Sequence, residues 1–263
     1  MSLLQVNHLS KHFLGVKAVD DVSFELAAGE LLALIGPNGA GKSTCFNMLN
    51  GQLRPDRGTI LLEGRNIAGM APREIWRMGV GRTFQVAATF GSMTVLENVQ
   101  LALLSHAGKL RNLWKPTGSY YRERAMELLD QVGMTSQAER ACNVLAYGDV
   151  KRVELCIALA NKPKLLLMDE PTAGMGPRER DDLMALTKRL VVEQNIAVLF
   201  TEHSMDVVFA YADRIIVLAR GNLIAEGDGV SIRNDEKVRE VYFGTGKTFV
   251  IKERPPMQRS SAA

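Results

Sequence analysis

Cysteine is scarce and unpatterned in this chain of 263 residues. The three present, Cys45, Cys142 and Cys156, are odd in number and lack metal or redox spacing. That excludes a disulfide scaffold and predicts three reduced packing residues. Long apolar runs are also missing. None approaches the ~18 residues that a membrane span needs. The opening MSLLQVNHLSKHF lacks both the charged n-region and the apolar h-region of a secretory signal. The expectation is a cytoplasmic chain that serves any membrane by docking on it. Blocks of like charge are absent as well. The formal charge is only +3, with Lys and Arg interspersed among acids, so the electrostatic footprint of nucleic-acid binding is missing. No repeat and no low-complexity linker interrupts the sequence.

What is there is ample apolar material, 46% of residues, enough at this length for one large domain or two modest ones. The N-terminal stretch reads as short strands, LLQVNHLS and then VDDVSFELAAGELLALI, with Gly29 marking a turn. ELLALI (30–35) is a buried strand ending abruptly in a glycine-rich loop, and a helix follows to about Asn50 with Gly51 as its stop. GTILLEGRNI (58–67) reads as a further strand pair, and GVGRTFQ (79–85) as a strand entering a loop. Residues 86–160 change character. SMTVLENVQLALLSH and YYRERAMELLDQVG carry apolar residues three and four apart, the helical period. GKLRNLWKPTGSY between them reads as a surface loop. Strands KLLLMD (164–169), IAVLFTEH (196–203) and RIIVLAR (214–220) then alternate with helices at 177–194 and 204–213, Pro177 sitting in the first turn of its helix. Strand–helix–strand spacing of this kind predicts a parallel, doubly wound sheet. The closing PPMQRSSAA predicts a disordered end.

GPNGAGKS (36–43) matches G-x-x-x-x-G-K-[ST] and stands where that motif works, after a buried strand and at the start of a helix. Gly36, Gly39 and Gly41 let the backbone, with Pro37, Asn38 and Ala40, wrap phosphates. Successive amides and the helix N-terminus, continuing through Thr44, supply donors and positive potential. Lys42 is expected to reach the β and γ phosphates of ATP, and Ser43 to ligate Mg²⁺. KLLLMDE (164–170) is the companion: four apolar residues on a central strand, then Asp169 facing the metal. Glu170 follows, expected on the opposite face by strand alternation, where a carboxylate can orient and deprotonate an attacking water.

With these two motifs in place, nearly the whole chain resembles the ATP-binding cassette family. NVLAYGDVKRVELCIALA (143–160) is similar to that family's signature segment. The resemblance implies a phosphate-loop fold: a mostly parallel sheet, with an N-terminal antiparallel β subdomain and an inserted helical subdomain. The core would span 1–85 and 161–250, with the antiparallel part in 1–32 and 58–67. The helical subdomain would span 86–160, and a tail 251–263. It further implies that Phe13 stacks on adenine, and that Gln85 contacts the metal and links to the insert. AGMGP (173–177) would cross a dimer interface, and the switch residue His203 would touch the γ-phosphate. Leu145, Ala146, Tyr147, Gly148 and Asp149 would contact ATP held by a second cassette subunit. LAYGD reads as preceding a helix whose N-terminus donates amides to that anion.

The sequence departs from the family where Ala146 replaces the usual signature serine, Tyr147 one residue of its usual glycine pair, and Asp149 the usual glutamine. Gly176 stands where many relatives have Asp. LAYG and AGMGP together resemble ATPases of importers for branched-chain amino acids, or for amides or urea, and most of all the first of their two ATPase chains. The partners implied are a second ATPase subunit, in a homo- or heterodimer, integral membrane permease subunits, and indirectly a substrate-binding protein. The place implied is the cytoplasmic face of the cell membrane. VAATFGSMTVLENV, with Phe90, Met93 and Val95, is expected to receive the permease. A soluble assembly ATPase, a lipid or lipopolysaccharide exporter ATPase and a non-hydrolysing ATP clamp are the alternatives.

Overall fold

The computed structural model describes residues 2–83, 89–107 and 121–243. Two sheets organise them. In the first, strands β1 (Ser2–Phe13), β2 (Val16–Ala27), β4 (Arg57–Leu62) and β5 (Arg65–Asn66) pair antiparallel in the order β2-β1-β4-β5. The second contains β3 (Leu31–Ile35), β6 (Val80–Thr83), β7 (Leu165–Asp169), β8 (Ala197–Thr201), β9 (Arg214–Ala219) and β10 (Asn222–Gly227), in the order β10-β9-β3-β8-β7-β6. Its four pairings from β9 to β6 are parallel, and β10 turns back antiparallel on β9. The phosphate-loop fold expected from the sequence is the fold observed.

Alternation along the central strands divides the core into two. Ala33 and Ile35 of β3, Met168 of β7 and Phe200 of β8 face one cluster. Leu32 and Leu34, Leu167 and Leu199 face the other. Strands buried on both faces must be apolar at every position, which is why KLLLM and AVLF carry no polar alternation. One cluster is closed by helix α1 (Lys42–Leu49) and the antiparallel sheet. The other is closed by α3 (Val95–His106), α4 (Arg122–Gln131), α5 (Tyr147–Leu159), α6 (Pro177–Gln194) and α7 (Met205–Tyr211). Thr94 and Glu97 start α3 with a reciprocal capping box: the Glu97 N–H donates to Thr94 Oγ1 at 3.1 Å and the Thr94 N–H to Glu97 Oε2 at 2.8 Å. Pro177 opens α6 as expected.

Some elements were not legible beforehand. Helices α2 (Pro72–Arg77), α8 (Gly229–Asn234) and α9 (Glu236–Phe243) are short, with too few turns for a period to register. The hairpin partner β10 is half exposed and weakly apolar. Others begin or end differently. α5 starts at Tyr147, so Tyr147, Gly148 and Asp149 form its first turn instead of preceding it; Ala146, extended at φ −62 and ψ 151, is the cap. β8 stops at Thr201, two residues before His203. Among the described residues no helix is long and apolar enough to cross a membrane.

Candidate active site

The β3 strand sits between β8 and β9, so the chain reverses its direction of strand addition there. In open parallel sheets ligands bind at such a switch point, beyond the carboxyl ends of the strands. The phosphate loop leaves β3 at that point. Its glycines answer to geometry. Gly41 has φ +106, and a Cβ on it would lie 2.2 Å from the Ala18 carbonyl. A Cβ on Gly36 would lie 2.3 Å from the Leu218 carbonyl. Gly41 also caps α1 without any side-chain bond, so the first-turn amides of Lys42, Ser43 and Thr44 remain available to an anion. Lys42 lies folded against its own loop, donating to the carbonyls of Gly36 at 2.7 Å and Pro37 at 3.2 Å. Burial lowers its pKa, opposed by the carboxylates of Glu170 and Asp169. Ser43 and Asn38 are exposed and Ala40 is buried.

Asp169 ends β7, in register with Thr201 of β8. The Thr201 hydroxyl donates to Asp169 Oδ1 at 2.8 Å and accepts the Glu170 N–H at 3.0 Å. One buried hydroxyl therefore sets both acidic residues. Glu170 does not continue the strand. It adopts φ +46, and its side chain swings so that Oε1 lies 2.7 Å from His203 Nε2. Strand alternation, the basis for placing it on the opposite face, does not extend past the last paired residue. The structure thus gathers Lys42, Asp169, Glu170 and His203 around the ends of three adjacent strands.

Phe13 stands at the β1–β2 turn, 44% exposed, with Lys11 Nζ 5.6 Å from its ring centroid. The strand leaving that turn brings Ala18 onto Gly41, so an exposed aromatic shelf is tethered to the phosphate loop. The signature residues form a separate group. Tyr147 is half exposed and its ring packs over Gly174 of the loop before α6, where a Cβ would meet Tyr147 Cε1 at 3.5 Å. Gly148 is buried against Glu179. Leu145 packs on the core, and Asp149 lies in the first turn of α5. Gln85 lies outside the described residues. Of the segment expected to receive a permease, Val95 is core, whereas Phe90 is 57% exposed. Buried Asn98 pins Phe90 by its backbone, accepting its N–H at 2.8 Å and donating to its carbonyl at 3.1 Å.

Three participants escaped the sequence reading. Thr201 is one. Arg82 of β6 is another: it faces Asp169 Oδ2 at 3.4 Å and donates to Asn47 and Gln52 at 3.0 Å each. Burial lowers the Arg82 pKa, and Asp169 pulls it back up. The strand register, from Val80 opposite Leu165 to Thr83 opposite Met168, carries this arginine toward the end of β7. Tyr242 of α9 is the third. Burial raises the pKa of its hydroxyl, opposed by the Gly36 amide it faces. Nothing local in the sequence could have revealed that contact.

Comparison with known proteins agrees with this fold. The family profile described as "ABC transporter" matches residues 19–173. The high-affinity branched-chain amino acid transport ATP-binding protein LivG of Salmonella typhimurium is 40% identical over 249 residues, covering 92% of this chain and 98% of the relative. A nucleotide-free ATP-binding cassette from an ABC transporter superposes with a TM-score of 0.83 at 34% identity, covering 93% of this chain and 100% of that one. A dimeric cassette in a post-hydrolysis state, bound to ADP and Pi, gives a TM-score of 0.72 at 27% identity over 86% of this chain and 98% of that one.

Proposed function

The chain belongs to the ABC transporter family and is an ATPase of that family, and on that premise we propose that it powers import of branched-chain amino acids or a related amide or urea compound. The observation that carries the catalytic part is the cluster at the ends of β3, β7 and β8, where Glu170 meets His203 at 2.7 Å beside Asp169 and Lys42. The likeness to LivG over most of both chains supports the cargo class.

In this reading the loop amides and Lys42 hold the β and γ phosphates. Lys42 exchanges its carbonyl partners on Gly36 and Pro37 for phosphate oxygens. Ser43 and Asp169 are hard oxygen donors suited to Mg²⁺, which keeps several waters and arrives with the nucleotide. Among the described residues there is no cluster of three His, Cys, Asp or Glu that would bind a metal unaided, and a metal shared with phosphates needs none. Gln85 is proposed as a further metal contact. Held by Ser43 and Asp169, Mg²⁺ would neutralise negative charge on the phosphates. Glu170 accepts a proton from water, whose oxygen bonds to the γ-phosphorus as the bond to the bridging oxygen breaks. His203 holds the Glu170 carboxylate and reaches the γ-phosphate.

The site is completed by a second ATPase subunit, whose α5 N-terminus with residues 145–149 supplies donors to the γ-phosphate. The solved dimeric cassette bound to ADP and Pi supports pairing. Pinned, exposed Phe90 supports docking to membrane permease subunits at the cytoplasmic face, with a substrate-binding protein feeding them. The test is co-purification of the chain with its membrane subunits, reconstitution in vesicles, and ATP-dependent uptake of labelled leucine, with urea and a short amide as comparators. ATP hydrolysis without uptake of any of the three would reject the cargo class. Absence of membrane subunits would reject the transport role.

A further inference from the structure

Glu202 lies between Thr201 and His203, 4% exposed. A carboxylate removed from water costs several kcal/mol unless it is paired or fully hydrogen-bonded. Among the described residues no Lys, Arg or His forms an ion pair with it. Its charge is met by four donors from two loops. Oε1 accepts the Thr172 N–H at 2.9 Å and the Thr172 hydroxyl at 2.6 Å. Oε2 accepts the N–H groups of His203 at 3.1 Å and Ser204 at 3.4 Å. The two oxygens are thus divided between the loop that follows β7 and the loop that follows β8.

Thr172 belongs to a tight run. The Ala173 N–H bonds the Glu170 carbonyl at 3.1 Å and the Met175 N–H bonds the Thr172 carbonyl at 3.1 Å. That run leads to Gly174, on which Tyr147 rests. On the other side His203 touches Glu170. Glu202 itself makes no contact with Lys42, Asp169 or Glu170 in its hydrogen-bond set.

We propose that Glu202 is a positioning residue that couples the loop before α6, residues 171–176, which carries most of the AGMGP interface segment, to the backbone of His203, so that the two loops move together. The proposal rests on the ATPase reading above. A partner pressing on the interface loop then displaces the rigid carboxylate, and the amides of His203 and Ser204 follow. Hydrolysis is thereby tied to pairing, while nucleotide capture by the phosphate loop is not.

The test uses the full chain and its assembled complex. Glu202→Gln replaces one acceptor oxygen with an amide NH2 group that faces donors, so one arm must be lost. Thr172→Val removes only the hydroxyl arm, and Thr172→Ser restores it. Expected is a loss of kcat of roughly ten- to a hundredfold in Glu202→Gln, the scale of a small misplacement of catalytic groups. The Kd for Mg–ATP on the isolated chain should change by no more than about threefold. Thr172→Val should accelerate amide hydrogen exchange at His203 and Ser204, across the carboxylate, and Thr172→Ser should return it to the parent rate. Unchanged kcat in Glu202→Gln would overturn the proposal, as would a parallel loss of Mg–ATP binding. So would unchanged exchange at 203 and 204 in Thr172→Val. If Glu202→Gln does not fold, the two Thr172 variants carry the test. The exchange measurement needs no nucleotide, so a parent chain that fails to bind Mg–ATP sinks the ATPase reading and leaves this one to stand or fall by exchange.

Discussion

Replacing Glu170 with Gln separates binding from chemistry more cleanly than any other change at the site. The substitution keeps the shape and exchanges one carboxylate oxygen for an amide NH2 group. The backbone is held independently of the side chain, since the Glu170 N–H donates to Thr201 at 3.0 Å. The side-chain amide can still meet His203, which lies 2.7 Å away. Stability should therefore change by only about 0.5 kcal/mol, as for substitutions that break no buried network. The phosphate loop and Lys42 are untouched. The Glu170 carboxylate raises the Lys42 pKa against burial, so its loss lowers that pKa further in the free chain. A bound polyphosphate replaces the lost negative charge, and affinity for Mg–ATP should hold or tighten. What disappears is proton acceptance from water. A positioned base contributes ~10²–10⁴ in rate, or about 2.7–5.5 kcal/mol at 1.36 kcal/mol per decade. The assay is phosphate release by the complex at saturating Mg–ATP, with Kd from a fluorescent nucleotide and dimer formation from size exclusion. The expected variant binds, pairs and does not turn over. A kcat within about tenfold of the parent would refute the base assignment.

Lys42→Ala should weaken nucleotide binding itself, by about 1.5–3 kcal/mol for a lost charged hydrogen bond, read as a rise in Kd by calorimetry; an unchanged Kd would remove Lys42 from the phosphate site. Asp149→Gln should raise ATPase activity of the complex. It removes a carboxylate from the first turn of α5, where that carboxylate stabilises the helix by about 0.3–1 kcal/mol but opposes an incoming phosphate; unchanged activity would dismiss the competition. All three thiols are buried, and burial pushes Cys45 up to about 12. None should react with Ellman's reagent in the native chain at pH 8, and all three should react in denaturant; fast native labelling would contradict the packing. The folded pKa of Cys45 exceeds its ordinary value of 9.0, so its contribution favours the native state below that value and is lost as pH rises toward about 12. An alkaline melting series should fall over that window.

The fold was legible wherever burial forces a pattern. β3, β7 and β8 are apolar up to their carboxyl ends because both faces are covered, and those ends are marked by a change of residue type: Gly36 just past β3, Asp169 last in β7 and Thr201 last in β8. The phosphate loop was legible because Gly41 has no substitute at φ +106 with the Ala18 carbonyl 2.2 Å from the position of a Cβ. Side-chain direction was not legible once a strand ended. Glu170 turns back on His203 through a left-handed backbone that alternation cannot foresee. Nor were the roles of Arg82 and Thr201, which depend on strand register between segments about 87 and 32 residues from Asp169. Phe90 and Val95 show the same limit on a smaller scale. Both are apolar and five residues apart, and only the turn pinned by Asn98 decides that one faces solvent and the other the core.

The division of the site into two groups has a consequence for how activity is controlled. Lys42, Asp169, Glu170 and His203 lie at the ends of adjacent strands of one sheet, and the Thr201 hydroxyl joins Asp169 to the Glu170 N–H. The N-terminus of α5 stands apart. Among the described residues no hydrogen bond joins residues 145–149 to residues 36–44, whereas Tyr147 leans on Gly174 of the loop before α6. Val144 and Tyr147 remain 58% and 43% exposed, large apolar surface beside a helix end whose amides are uncapped by any side chain. A surface of that composition needs a cover, and an uncapped helix end favours an anion. In the proposed reading, a second cassette offering its nucleotide phosphate would supply both at once. Chemistry assembled on one sheet and anion donors carried on a helical arm would then make turnover depend on pairing, while a lone chain would retain the parts needed to hold ATP.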